Sequence, residues 1–249
     1  MEMYIYFVVF IIGISIGSFL NVVIYRVPKN MSIINPPSSC PKCHTTIKPW
    51  HNIPILSWIM LKGRCAYCKE KISIRYPIIE LLTGLIAVLV YYKTQSINIF
   101  SVIDFAVFAT LLALSMIDFD YKAVPDSLNL LALTLAIFSS PNIIDNFTNA
   151  LIMMGGLSML RFYLSYILKK EAMGEGDIIV AGTMGALLGI KLSLIAIFLS
   201  AVFAIFPSLY IRLKNSELEL PYIPFLALAT FIVWFFDDKF LSLWSVLYG

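Results

Sequence analysis

The chain has 249 residues, of which 60% are hydrophobic and 13% charged, with a mean hydropathy of +0.87 and a formal net charge of +3. An ordinary soluble domain carries about 25% charged residues, so the composition excludes one and makes the bilayer the solvent for most of the chain. So small a net charge implies no nucleic-acid partner.

The hydropathy pattern predicts an all-α polytopic membrane protein of about eight transmembrane helices, over roughly 3–25, 76–92, 97–117, 124–140, 146–168, 177–190, 192–211 and 222–236. The first stretch is long enough to span, has no basic region ahead of it and contains Gly17, Ser18 and Asn21. It reads as a retained transmembrane helix rather than a cleaved signal peptide. The sixth is short for a bilayer of about 30 Å, as a broken helix lining a cavity would be.

Between the first two spans lies the one sizeable polar segment, residues 26–75, which holds all four cysteines and both histidines. "CPKC" (40–43) and "CAYC" (65–68) make a C-x2-C-x21-C-x2-C pattern. Each pair can grip a tetrahedral ion from a tight turn, so Cys40, Cys43, Cys65 and Cys68 are candidate ligands of one structural zinc. Two disulfides or four unpaired thiols are the alternatives, and a reducing cytoplasm disfavours the first of these. His44 and His51 read as surface histidines, because four thiolates already close a tetrahedral site.

Lys and Arg set the expected orientation. With the first span running inward, fourteen basic residues (Arg26, Lys29, Lys42, Lys48, Lys62, Arg64, Lys69, Lys71, Arg75, Lys122, Lys169, Lys170, Arg212 and Lys214) face the cytoplasm. Three (Lys93, Lys191 and Lys239) face out, and Arg161 falls inside a span. Both termini are then outside and the cysteine segment is cytoplasmic.

Acidic residues in or beside apolar spans are costly and call for a reason. Glu80 and Asp104 fall within the second and third spans. Asp118 falls at the inner end of the third, with Asp120 and Asp126 just beyond. Pro125 suits the opening of the next helix, where Asp126 or Ser127 would cap or complement its N-terminus. Asp118 ends a helix, where the macrodipole opposes a negative charge, whereas Asp177 begins one. The two are 59 residues apart in sequence, yet both fall at the cytoplasmic boundary of this topology. If the third and sixth spans touch, one carboxyl can stay neutral while the other is ionised, the pairing that acid–base hydrolysis needs. Gly174 and Gly176 would let the backbone turn there and leave room for a substrate strand. Taken alone, an aspartate after a glycine is more often a helix N-cap than a catalyst.

Three readings follow from the residues: a membrane aspartic endopeptidase, an ion-coupled transporter using Glu80, Asp104 and Asp118 as a relay, and a scaffold whose zinc loop docks partners. The chain resembles the type IV prepilin peptidases, the bifunctional leader peptidase/N-methyltransferases of the GxGD membrane aspartic protease class. The motifs that carry the resemblance run in order: "GSFLNVVIYR" (17–26), "SSCPKC" (38–43), "NIPILSW" (52–58), "GRCAYC" (63–68), "ISIRYPIIE" (72–80), "DFDYKAVPD" (118–126) and "GEGD" (174–177). The resemblance implies that Asp118 and Asp177 are the catalytic aspartates and that the four cysteines hold zinc. It implies removal of a short basic leader from prepilin or pseudopilin substrates at the cytoplasmic face of a bacterial inner membrane. Methylation of the new N-terminus by S-adenosylmethionine is implied by the resemblance alone. The expected organisation is a first transmembrane helix (1–25), a cytoplasmic zinc-binding domain (26–75) and a transmembrane peptidase domain (76–249).

Overall fold

In a computed structural model describing residues 2–171, 173–213 and 220–248, helices are the only extended regular elements. Two isolated β-bridges accompany them. Lys214, counted above among the inner charges, lies outside the described residues. The protein is an all-α polytopic membrane protein, and its chain divides into two compact units, Met1–Ile97 and Asn98–Gly249.

The first unit contains α1 (Glu2–Arg26), the short α2 (Leu56–Met60) and α3 (Arg75–Thr94). Small residues bring α1 and α3 together. A Cβ on Gly13 would lie 2.8 Å from the Cβ of Ala87, and one on Gly17 would lie 2.7 Å from the Cα of Glu80. Such close backbone approach is how helices associate where lipid removes the hydrophobic drive between them.

The second unit contains α4 (Ile99–Tyr121), α5 (Asp126–Ile137), α6 (Ile143–Leu168), α7 (Glu175–Leu213), α8 (Ile223–Phe235) and α9 (Asp237–Tyr248). A capping box opens α4: the Asn98 side chain accepts from the Ser101 N–H, and the Ser101 hydroxyl accepts from the Asn98 N–H. α4 packs on α5 and α8, while α7 packs on α5, α6 and α8. Phe108 of α4 meets Phe231 and Trp234 of α8 edge-on, with ring centroids 4.9 and 5.0 Å away.

Five helices (α1, α3, α4, α6 and α7) are long and apolar enough to cross a membrane, and α5 and α8 are shorter apolar helices. The eight expected spans all correspond to helices, the sixth and seventh being the two parts of α7 on either side of a kink. Straight, its 39 residues would run about 58 Å, nearly twice the hydrocarbon thickness. Gly189 breaks it at φ 73° and ψ 171°, a conformation open in practice only to glycine. The break falls where the sequence places the boundary between spans. α9 was not anticipated; it opens on Asp237, Asp238 and Lys239, a charged start that hydropathy passes over.

The distribution of polarity is that of a protein dissolved in lipid. Phe7, Phe162, Tyr166, Phe198 and Phe206 are exposed, while Thr83, Asn129, Thr183, Ser193, Ser200 and Thr230 are wholly buried. The buried hydroxyls bond their own helices, as in Thr83 to the Ile79 carbonyl (2.8 Å) and Ser193 to that of Gly189 (2.7 Å). In a medium without water each polar group has to be satisfied inside the protein.

Candidate functional site

The sulfur cluster of the first unit is built by two matching turns. In one, Cys40 N–H donates to the Thr45 carbonyl (3.0 Å) and His44 N–H to that of Cys40 (2.9 Å). In the other, Cys65 N–H donates to the Glu70 carbonyl (2.8 Å) and Lys69 N–H to that of Cys65 (3.1 Å). The residue after each second cysteine is left-handed, His44 at φ 56° and Lys69 at φ 60°. One Sγ from each of the four cysteines comes within 4.8 Å of all the others, with Cys40 and Cys68 only 3.8 Å apart. Zn–S bonds of about 2.3 Å in a tetrahedron put sulfurs about 3.8 Å apart, so the four residues fit one zinc ion. None of the four is in a disulfide. Hydrogen bonds from the Thr45 side chain and backbone lower the Cys43 thiol from 9.0 to about 6, and the Cys68 backbone N–H lowers Cys65. Both effects favour the thiolate that a metal requires, whereas, against the Glu70 backbone hydrogen bond, burial and the three neighbouring sulfurs push the Cys68 thiol up to about 11.

Glu80, buried in α3, has a local task in the same unit. Its Oε2 accepts the Ile55 N–H at 2.6 Å, and it also accepts from the Ser18 hydroxyl. Ile55 sits at φ 60° and ψ −52°, with Leu56 N–H returning to the Pro54 carbonyl, which is a strained γ-turn. The buried acid secures that turn in "NIPILSW", a tie no hydropathy profile could have revealed. Asp104 is likewise buried, within α4 of the second unit.

In the second unit Asp118 and Asp177 line one cleft of about 410 Å³. Three stretches of chain form its walls: the end of α4 and the turn after it (Asp118, Lys122, Val124 and Asp126), residues 174–177, and residues 220–222. The two carboxylates are within electrostatic reach of each other. Asp118 is buried in the last turn of α4, and its Oδ2 accepts the Ile223 N–H at 3.1 Å from the start of α8. Lys122 ends α4 in the left-handed conformation, its N–H on the Asp118 carbonyl.

Asp177 is not the N-cap of α7, since the helix begins at Glu175. It lies in the first turn and accepts the backbone N–H of Gly174, the reach-back half of a capping box. Gly176 lies against Val124, whose Cγ2 would be 2.7 Å from an added Cβ. Its carbonyl accepts Nδ2 of the wholly buried Asn129 at 2.9 Å. Asp126 occupies the first turn of α5 and lines the cleft; the N-cap is Pro125, and no side chain bonds the free N–H groups there. Asn129, Val124 and residues 220–222 do not stand out in the sequence, because none carries a charge and each acts by packing or by a hydrogen bond to or from the backbone. Arg161 of α6 pairs with Glu175 at 3.2 Å and approaches Glu171 at 3.9 Å.

Two carboxylic acids sharing an open cleft can divide the work of an acid and a base on one bound amide. Residues 11–94 match the bacterial peptidase A24 N-terminal domain, and residues 105–209 match the type IV leader peptidase family. The prepilin leader peptidase/N-methyltransferase of Neisseria gonorrhoeae is 32% identical, over 92% of this chain and 90% of that protein. The protein of the same name from Pseudomonas aeruginosa is 32% identical, over 92% and 89%. A type 4 prepilin-like proteins leader peptide-processing enzyme of Escherichia coli is 34% identical, over 87% and 88%. No solved structure is significantly similar. By its matched regions and by relatives aligned along nearly their whole length, the chain belongs to the type IV leader peptidase family.

Proposed function

We propose that this chain is a membrane aspartic endopeptidase that removes the leader of prepilin-like substrates and then methylates the new N-terminus. The observation that carries the reading is the single cleft lined by Asp118 and Asp177. With one carboxyl ionised and the other neutral, the ionised one takes a proton from water as that water attacks the scissile carbonyl. The neutral one donates to the carbonyl oxygen, and a tetrahedral diol results. Collapse of the diol breaks the C–N bond as a proton passes to the leaving amine. S-Adenosylmethionine, when bound, would supply the methyl group for the amine that cleavage frees.

Cys40, Cys43, Cys65 and Cys68 hold a structural zinc that folds residues 26–75, a segment too small for a core of its own. Residues 1–25 and 76–249 form the membrane part, with the last of these carrying the peptidase. The bacterial relatives support an inner-membrane protein, and the charge bias of the loops supports both termini outside and the cleft at the cytoplasmic face. A transporter reading loses ground because Glu80 is engaged by Ile55 and Ser18 instead of facing an open path.

The test is to incubate the detergent-purified protein and its Asp177→Asn variant with a prepilin-like peptide and S-adenosylmethionine, and to weigh the products. Loss of the leader and gain of one methyl group by wild type, with no cleavage by the variant, is the expected result. Cleavage by both would reject the aspartate pair, and cleavage by neither, where a known peptidase cuts the same peptide, would reject the activity.

A further inference from the structure

Asn129 is wholly buried in α5. Its Nδ2 donates to the Gly176 carbonyl at 2.9 Å, while its Oδ1 is buried and has no hydrogen-bond partner among the described residues. A half-satisfied amide in such a place lowers stability, because the unpaired oxygen has lost its water and gained nothing. The bond it does make is to a carbonyl at the start of α7, not to its own helix.

That carbonyl belongs to the peptide plane joining Gly176 to Asp177. Fixing its oxygen fixes the plane's rotation and with it the direction in which the Asp177 side chain leaves the backbone. The opposite constraint comes from Val124, packed against the Gly176 Cα so closely that no Cβ fits. Val124 and Asn129 both follow Asp118 within eleven residues of chain, on the turn after α4 and the first turns of α5. Asp177 therefore takes its orientation from the same stretch of chain that carries Asp118.

From this we infer that Asn129 is a positioning residue for the peptidase reaction, holding the Gly176–Asp177 peptide so that the two carboxylates face one cleft. The inference rests on the aspartate pair proposed above. A 1 Å misplacement of a catalytic group costs up to about 100-fold in rate. Removing the donor is accordingly expected to lower kcat by about tenfold or more while leaving KM for the peptide within about twofold.

The experiment compares leader cleavage by wild type, Asn129→Leu and Asn129→Asp, each with its melting temperature in detergent. Asn129→Leu removes the donor and the orphaned oxygen together, so it should be slower yet melt no lower than wild type. Asn129→Asp keeps the shape but can donate only when protonated, so its kcat relative to wild type should rise as the pH is lowered. The ratio for Asn129→Leu should stay flat. Wild-type kcat in Asn129→Leu, or slower cleavage accompanied by a lower melting temperature, would overturn the inference, as would a pH-independent ratio for Asn129→Asp. Failure of the aspartate reading looks different: Asp177→Asn would then cleave as well as wild type.

Discussion

The N–H of Ile223 donates to Oδ2 of Asp118 at 3.1 Å, joining groups 105 residues apart in the chain. At the end of α4 the helix dipole opposes a carboxylate, whereas at the start of α8 it favours one. The contact lets one acid tolerate the wrong end of its own helix by borrowing the right end of another. Asp177 needs no such help, since it sits in the first turn of α7 and accepts the Gly174 N–H. Each acid thus keeps backbone donors, Ile223 and Tyr222 for Asp118 and Gly174 for Asp177.

This geometry makes the neutral amides clean probes. Asn at position 118 can still accept from Ile223, and Asn at 177 can still accept from Gly174. Asp118→Asn and Asp177→Asn should therefore each lower leader cleavage by about 10³-fold or more while changing stability by no more than about 1 kcal/mol. Mass spectrometry of the product and thermal unfolding in detergent read the two quantities. Substantial cleavage by either variant would remove that aspartate from the mechanism.

Gly176→Ala should damage the same cleft for a different reason. The new methyl would sit 2.7 Å from Cγ2 and 2.8 Å from Cβ of Val124, so the start of α7 has to move away. Overpacking of this kind costs about 1–3 kcal/mol, and the shift carries Asp177 with it. Cleavage should fall at least about tenfold in Gly176→Ala and recover when Val124→Gly is added. A double variant as slow as the single one would mean that the glycine is needed for a reason other than room.

Much of this site could be read from the sequence, because it is written in residues that are out of place. Aspartates beside lipid, glycines flanking an acid and cysteines in two evenly spaced pairs all stand out against an apolar background. What stayed hidden has no such contrast. Asn129 is one of four polar residues in the short apolar helix α5, and Val124 is an ordinary valine until Gly176 comes to rest on it. The division of α7 was legible too: hydropathy places two spans, 177–190 and 192–211, and Gly189 parts the run there into two helices. The Ile55 turn was invisible because its strain is a property of φ and ψ, fixed by an acid 25 residues away.

Metal loss should separate the two activities. The sulfur cluster lies in the first compact unit, whereas every residue lining the cleft lies in the second. Cys40→Ser removes one of four ligands, and its zinc content per chain should fall well below one equivalent. Methylation of an already cleaved peptide should fall further than leader cleavage, with a strong chelator giving the same order on wild type. Equal loss of both activities would show that the zinc module also supports the peptidase.

Salt dependence tests how a basic leader would be met. Glu175 lines the cleft, and Arg161 holds it at 3.2 Å with Glu171 at 3.9 Å; both glutamates are more than four-fifths exposed. With both carboxylates this open to solvent, a cationic peptide can compete with Arg161 for them. Neutralising Glu171, Glu175 and Asp120 together should raise KM several-fold for a basic peptide in low salt. The difference should shrink as the ionic strength approaches 0.15 M, where the Debye length is about 8 Å. Arg161→Gln should do the reverse, lowering KM in low salt by leaving both glutamates to the substrate. A KM that ignores both changes and the salt would mean that the leader is recognised by its shape or backbone, with these charges as bystanders.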